Sequence, residues 1–100
     1  MNPNVLLDKN ALKTFCLKWK IRELSVFGSA LRDDFGPDSD FDFLLSFDRL
    51  ATWDLWELVD MRNELISIVG REVDIVAKEA LRNPYRREEI LSNREVIHAA

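Results

Sequence analysis

Apolar residues recur along this chain with two periods. Leu12, Phe15, Cys16 and Trp19 stand three and four apart, which predicts a helix capped by Asp8 and running to about Lys20. Leu24-Ser25-Val26-Phe27 is short, partly β-branched and stopped by Gly28, and so reads as a strand. Gly28-Ser29 then opens a short helix through about Asp34, and the Gly-Pro content of Phe35-Gly36-Pro37-Asp38-Ser39 predicts a loop. From Asp40 to Phe47 the period is two. Phe41, Phe43, Leu45 and Phe47 share one face, and Asp40, Asp42, Leu44 and Ser46 share the other, so this strand should lay its phenylalanines on a core.

Thr52 is the expected N-cap of a long helix ending near Val69, with Asp54 and Glu57 suited to its first turns. Leu55, Leu58, Val59, Arg62, Leu65, Ile66 and Val69 form its stripe, broken only by Arg62, and Gly70 is placed to end it. Glu72 to Val76 is a third strand. The rest is a short helical or irregular tail. It is punctuated by Asn83-Pro84 and carries the apolar pair Ile90-Leu91, with Val96 and Ile97 available to pack back onto the body. The order helix, strand, helix, strand, long helix, strand, short helix predicts a mixed α/β domain built on a small sheet.

Length and charge narrow what such a domain can do. At 100 residues the chain is expected to be a single domain spanning 1–100, with no room for a second, substrate-binding domain. A large acceptor must then be a separate protein. Hydrophobic residues at 47% and charged residues at 32% fit a soluble globular protein rather than a disordered one. The net charge of -4 opposes a nucleic-acid backbone, so no direct nucleic-acid partner is expected. The local basic clusters, Lys18, Lys20 and Arg22 and then Arg82, Arg86 and Arg87, read as solvated helix faces and termini. A single cysteine, Cys16, excludes a disulfide within the chain and a cysteine-based zinc site, and its place in the helical pattern makes it a small core residue. His98 has no second His or Cys to support it as a ligand. Met1-Asn2-Pro3-Asn4 lacks a basic segment leading into an apolar run, and no apolar stretch is long enough for a bilayer, so a cytoplasmic protein is expected.

Three features bear chemistry. Gly28-Ser29 lies where a strand gives way to a helix. There a glycine lets a ligand approach the backbone and first-turn amides point outward, a setting that stabilises phosphate. Taken alone, such a turn is more often an ordinary helix cap. In Asp40-Phe41-Asp42 the alternation sends both carboxylates to one side. Two like charges that close repel, and either exposure to water or a divalent cation relieves them; a solvent-facing acidic edge accounts for this pair equally well. Asp74 is the one acid among the β-branched residues of Val73-Asp74-Ile75-Val76, on the opposite face from Val73 and Ile75. If its strand neighbours that of Asp40, three carboxylates share a face, and two ions held there could activate a hydroxyl and neutralise a triphosphate during in-line displacement.

A calcium-binding loop fails as a rival for Asp38, Asp40 and Asp42. Phe43 stands where that loop needs Gly, and Arg49 where it needs Glu. Neither a Walker lysine motif nor a dinucleotide fingerprint is present.

Gly28-Ser29-Ala30-Leu31-Arg32, a spacer, and Ser39-Asp40-Phe41-Asp42-Phe43-Leu44-Leu45 together resemble the signature of the polymerase-β-like nucleotidyltransferases. The likeness extends from about Glu23 to Val76, and the small size is similar to the minimal branch of that superfamily. Members of that branch commonly serve as antitoxins to HEPN-domain toxins. The resemblance implies that Asp40 and Asp42 bind Mg²⁺ and that Asp74 completes the catalytic set and helps deprotonate the acceptor. It also implies that Gly28 and Ser29 hold the triphosphate of ATP, with Arg32 steadying the loop or the phosphates. Asp33 departs from the Gly that often follows this Arg. The activity implied is transfer of AMP from ATP to a hydroxyl, that of a Tyr above others, on a partner HEPN toxin. The alternative is a binding module that silences its partner by occlusion alone. Trp53 and Trp56, at the start of the long helix, are candidates for partner contact or for core packing.

Overall fold

A computed structural model of the chain describes residues 7–31 and 40–100, with the backbone alone for Ser29 and Ala30. Helix α1 spans Lys9–Lys18 and starts as expected, with the Asp8 side chain accepting from the Ala11 amide. Its last turn ends short of Lys20, which takes a positive φ of 56° and swings the chain directly into β1, Ile21–Phe27. That strand begins three residues before the apolar run at Leu24 suggests. A 3₁₀ turn at Gly28–Leu31 follows, then β2 at Phe41–Phe47, α2 at Leu55–Val69 and β3 at Val73–Ala77. A second 3₁₀ turn at Lys78–Ala80 leads into α3, Pro84–Ser92, and the chain closes with β4, Arg94–Ala99. The expected loop at 35–39 lies outside the described residues.

The four strands form one mixed sheet in the order β3-β2-β1-β4. β1 pairs antiparallel with β2 and with β4, and β2 pairs parallel with β3, the connection running through α2. β4 corrects the reading of the C-terminal segment as helical or irregular. Glu95 to His98 lack a clear alternation, but the free edge of β1 offers a full row of backbone partners. The Ala100 amide donates to the Arg22 carbonyl, and Arg94 forms an ion pair with Glu23.

Helices α1 and α2 cover one face of the sheet. Leu12, Phe15, Cys16 and Trp19 of α1 and its end, and Met61 and Leu65 of α2, meet Leu24, Val26, Phe41, Phe43, Leu45 and Val73 in the main core. The inward side of α2 is therefore Leu58, Met61, Leu65, Ile66, Ile68 and Val69: the expected stripe holds at Leu58, Leu65, Ile66 and Val69, Met61 and Ile68 join it, and Leu55 and Val59 stay exposed. Leu55 and Trp56 are 71% and 75% exposed, whereas Trp53 packs edge-on against Trp19 with ring centroids 5.2 Å apart. The N-cap of α2 is Asp54 rather than Thr52. Asp54 and Glu57 form a capping box in which each side chain accepts from the other's backbone amide, an arrangement Thr52 cannot make with Leu55. Glu64 ties α2 to α1 by accepting hydrogen bonds from Lys18 and from the Trp19 indole. Burial pushes its carboxyl up, but these bonds and the Lys18 charge outweigh that and hold it below the usual range.

The other face is covered only in part. There α3 and the segment before it lay Ile90 and Leu81 over Leu44, flanked by Phe27, Val76 and Leu91. Leu44, placed by alternation on the acidic side of β2, is fully buried beneath them. Asn83 caps α3 by accepting from the Tyr85 and Arg86 amides, with Pro84 in the first helical position.

Candidate active site

Strand pairing decides which of the candidate side chains meet. In the parallel ladder of β2 and β3, Asp42 is aligned with Asp74, so the two carboxylates stand on neighbouring strands and on the same face. Across the antiparallel ladder, Asp42 is aligned with Phe27, the last residue of β1 before Gly28. Asp42 is half-buried and Asp74 exposed. Asp40 shares the parity of Asp42 but stands one residue ahead of β2, where it is exposed.

Gly28 lies directly against Asp42. Its φ is +72°, and a Cβ built on it would fall 2.5 Å from Oδ2 of Asp42. Any side chain here would need both a left-handed backbone and the space the carboxylate occupies. The turn at Gly28–Leu31 and the acid at Asp42 are thus packed into one another, and the backbone of the turn borders that carboxylate. The backbone of Ser29 follows in the same turn, and Arg32 lies outside the described residues.

Arg62, the charged break in the stripe of α2, positions the other acid. Its Nε donates to the Val73 carbonyl at 2.8 Å and its Nη2 to Glu72 at 2.9 Å. The guanidinium therefore grips the chain just before Asp74 and anchors the start of β3 to α2. Periodicity alone does not assign Arg62 this role; the signal for it is an arginine amid inward-facing apolar positions. The Phe41 ring, next to Asp42, is stacked on that of Phe43 at 5.4 Å and lies beneath the Arg71 guanidinium at 5.6 Å.

Beside Gly28 opens a cleft of about 490 Å³, within the range of small-molecule sites. Phe27, Gly28 and Leu31 line it from the end of β1, and Arg86, Glu89, Ile90 and Asn93 from α3. The α3 wall has no counterpart among the expected site residues, because nothing in the pattern of α3 says which strand end it covers.

Oxygen donors of this kind suit Mg²⁺, which takes one or two carboxylates and completes its shell with water and substrate phosphates. Among the described residues no three acidic, His or Cys side chains form a ready-made cage. The aligned pair with its glycine turn fits an ion shared between protein and nucleotide. Cys16 and His98 stand apart from it: Cys16 is buried in the main core, and His98 lies on β4, aligned with Leu24. Among the described residues no helix is long and apolar enough to cross a membrane.

Residues 8–97 match the family model described as a nucleotidyltransferase domain. The protein adenylyltransferase MntA of Thermococcus cleftensis is 30% identical over 81 residues, covering 81% of this chain and 77% of that relative. Two solved structures share the fold. A toxin–antitoxin structure with AMP-PNP superposes with a TM-score of 0.75 at 17% identity, over 94% of this chain and 75% of its own. A tri-AMPylated Shewanella oneidensis HEPN toxin in complex with MNT antitoxin gives a TM-score of 0.67 at 15% identity, over 92% and 70%. With its glycine turn against one carboxylate and a second carboxylate aligned beside it, the chain belongs to the nucleotidyltransferase domain family.

Proposed function

We propose that this protein is a magnesium-dependent protein adenylyltransferase that moves AMP from ATP onto a hydroxyl of a HEPN-domain toxin and so neutralises it as an antitoxin. The observation that carries the reading is the alignment of Asp42 with Asp74 while Gly28 is packed on the Asp42 carboxylate. The adenylyltransferase name of the relative, the AMP-PNP in one similarly folded toxin–antitoxin structure and the AMPylated HEPN toxin in the other support the choice of nucleotide and partner.

Asp40 and Asp42 are the ligands for Mg²⁺, with Asp74 completing the set. The ion, when bound, neutralises phosphate charge and lowers the pKa of the attacking hydroxyl. Gly28 and Ser29 hold the triphosphate against the backbone of the turn, and Arg32 serves to steady the loop or the phosphates. The acceptor oxygen, that of a tyrosine in this reading, forms a bond to the α-phosphorus as the bond to the β-phosphate oxygen breaks. Pyrophosphate leaves, and Asp74 takes the hydroxyl proton. Positioning and charge account for most of the catalysis in such displacements. A need for ATP and for a toxin made in the same cell makes the cytoplasm the place of action.

Incubation with ATP, Mg²⁺ and the product of the neighbouring gene, followed by intact-mass analysis, tests this. The partner should gain mass in whole AMP steps, and Asp42→Ala together with Asp74→Ala should abolish the gain. A partner that loses activity on mixing without any gain in mass would establish occlusion instead.

A further inference from the structure

The cleft beside Gly28 has a cation on its far wall. Arg86 lies near the start of α3 and lines the same cleft as Gly28. Its guanidinium makes no ion pair or hydrogen bond among the described residues. Its neighbours are committed: Arg87 donates to the Lys78 carbonyl at 3.3 Å, and Arg94 is paired with Glu23. Glu89, further along α3, lines the cleft as well but is not paired with Arg86. Phe27, Leu31 and Ile90 supply the apolar part of the cleft's lining.

This matters because the site is otherwise acidic. Asp42 lies against Gly28 and Asp74 is aligned with Asp42, in a chain of net charge -4, and a nucleoside triphosphate brings several more negative charges. Mg²⁺ offsets part of that repulsion, and a guanidinium can offset more while its fork donates to two phosphate oxygens at once. Helix α3 is held in place for this by Leu81 and Ile90 on Leu44 and by the Asn83 cap.

We infer that Arg86 is a substrate-binding residue that holds the phosphates of the nucleotide from the α3 side of the cleft, opposite the Gly28 turn. The assignment rests on the nucleotidyltransferase reading of the Gly28 site. It gives α3 a role in substrate affinity as well as in covering Leu44.

Titration of the intact protein with AMP-PNP in Mg²⁺, at several salt concentrations, tests it in wild type, Arg86→Ala and Asp42→Ala. Arg86→Ala should raise Kd by roughly 10- to 100-fold, the range for a charge-assisted contact, and should reduce the dependence of Kd on salt. Its melting temperature should match wild type, since Arg86 is exposed. A Kd within twofold of wild type, or a weaker Kd with an unchanged salt dependence, overturns the assignment. If Asp42→Ala weakens binding while Arg86→Ala does not, only the α3 assignment falls. If wild type binds no AMP-PNP, or Asp42→Ala has no effect, the reading of the Gly28 site falls with it.

Discussion

Phe43 and Leu44 are neighbours in β2, both fully buried, yet they belong to different parts of the molecule. Phe43 faces two helices and lies inside a core that takes residues from α1, α2 and three strands. Leu44 faces α3 and is covered by two buried residues, Leu81 and Ile90. Two positions earlier on the Leu44 side is Asp42, where the cover thins and the residue is only half-buried. One face of the sheet holds the fold together, and the other is closed just far enough to wall a cleft beside its acids. A site that must admit a nucleotide and an acceptor cannot be roofed, so its stability has to come from the opposite face.

This division predicts unequal consequences. Phe43→Ala should cost about 3–5 kcal/mol, because it opens a cavity where two helices meet the sheet. For a domain of this size that can be most of the stability; chemical denaturation followed by far-UV circular dichroism measures it. Asp42→Ala should act the opposite way. Transfer should fall by at least ~10³-fold, in line with ~3–4 kcal/mol for a well-placed electrostatic group, and Mg²⁺ affinity should collapse. Folding stability should hold or rise, since Asp74 loses a like-charged neighbour. A large loss of stability in this variant would mean that the acidic face supports the fold after all.

Leu44→Ala tests the boundary between the faces. It should cost about 2–4 kcal/mol, less than Phe43→Ala, and should speed hydrogen exchange in α3 before it does so in α1 or α2. Asp54→Ala, which removes a capping box on α2, should cost ~1 kcal/mol in a thermal melt and leave transfer unchanged. The smallest effect at neutral pH belongs to the ionisation of Cys16, whose thiol burial pushes up to about 12. Above the ordinary thiol range the unfolded chain releases a proton that the folded chain keeps. Stability should therefore decline as pH climbs from that range towards about 12, and Cys16→Ala should remove this part of the alkaline slope. The native thiol should resist iodoacetamide at pH 8 until the chain is unfolded.

The part of the candidate site made by Gly28, Asp40 and Asp42 can be proposed from the sequence because these residues are close along the chain. The period of two across Asp40 to Phe47 separates acids from phenylalanines within a single strand. A glycine at the end of a strand likewise marks where the backbone is free to turn left-handed, as Gly28 does at a φ of +72°. The cap of α2 is legible too, though it falls two residues later than Thr52 suggests. Asp54 and Glu57 suit a first turn by charge, but their spacing is that of a capping box with each other. Helical spacing carries the stripe of α2 through Arg62, whereas Met61 beside it is the residue that is buried. Arg62 instead reaches past the core to the Val73 carbonyl, a role set by where β3 begins.

What the sequence by itself determined is local: the alternation of β2, the apolar faces of α1 and β2, the breaks at Gly28 and Gly70, and a motif specific enough to name a family. Tertiary structure decided the rest. The alignment of Asp74 with Asp42 depends on a parallel register that α2 delivers from a distance; slipped by one residue, it would set Val73 or Ile75 in that place. β4 is a strand because β1 presents an edge for it to pair with, a fact that resides in β1 rather than in residues 94–99. The placing of Arg86 on the cleft that Gly28 also lines follows from α3 packing on Leu44. Periodicity reports which face of an element is apolar, but hydrogen-bond register and helix docking are set by contacts between segments far apart in the chain.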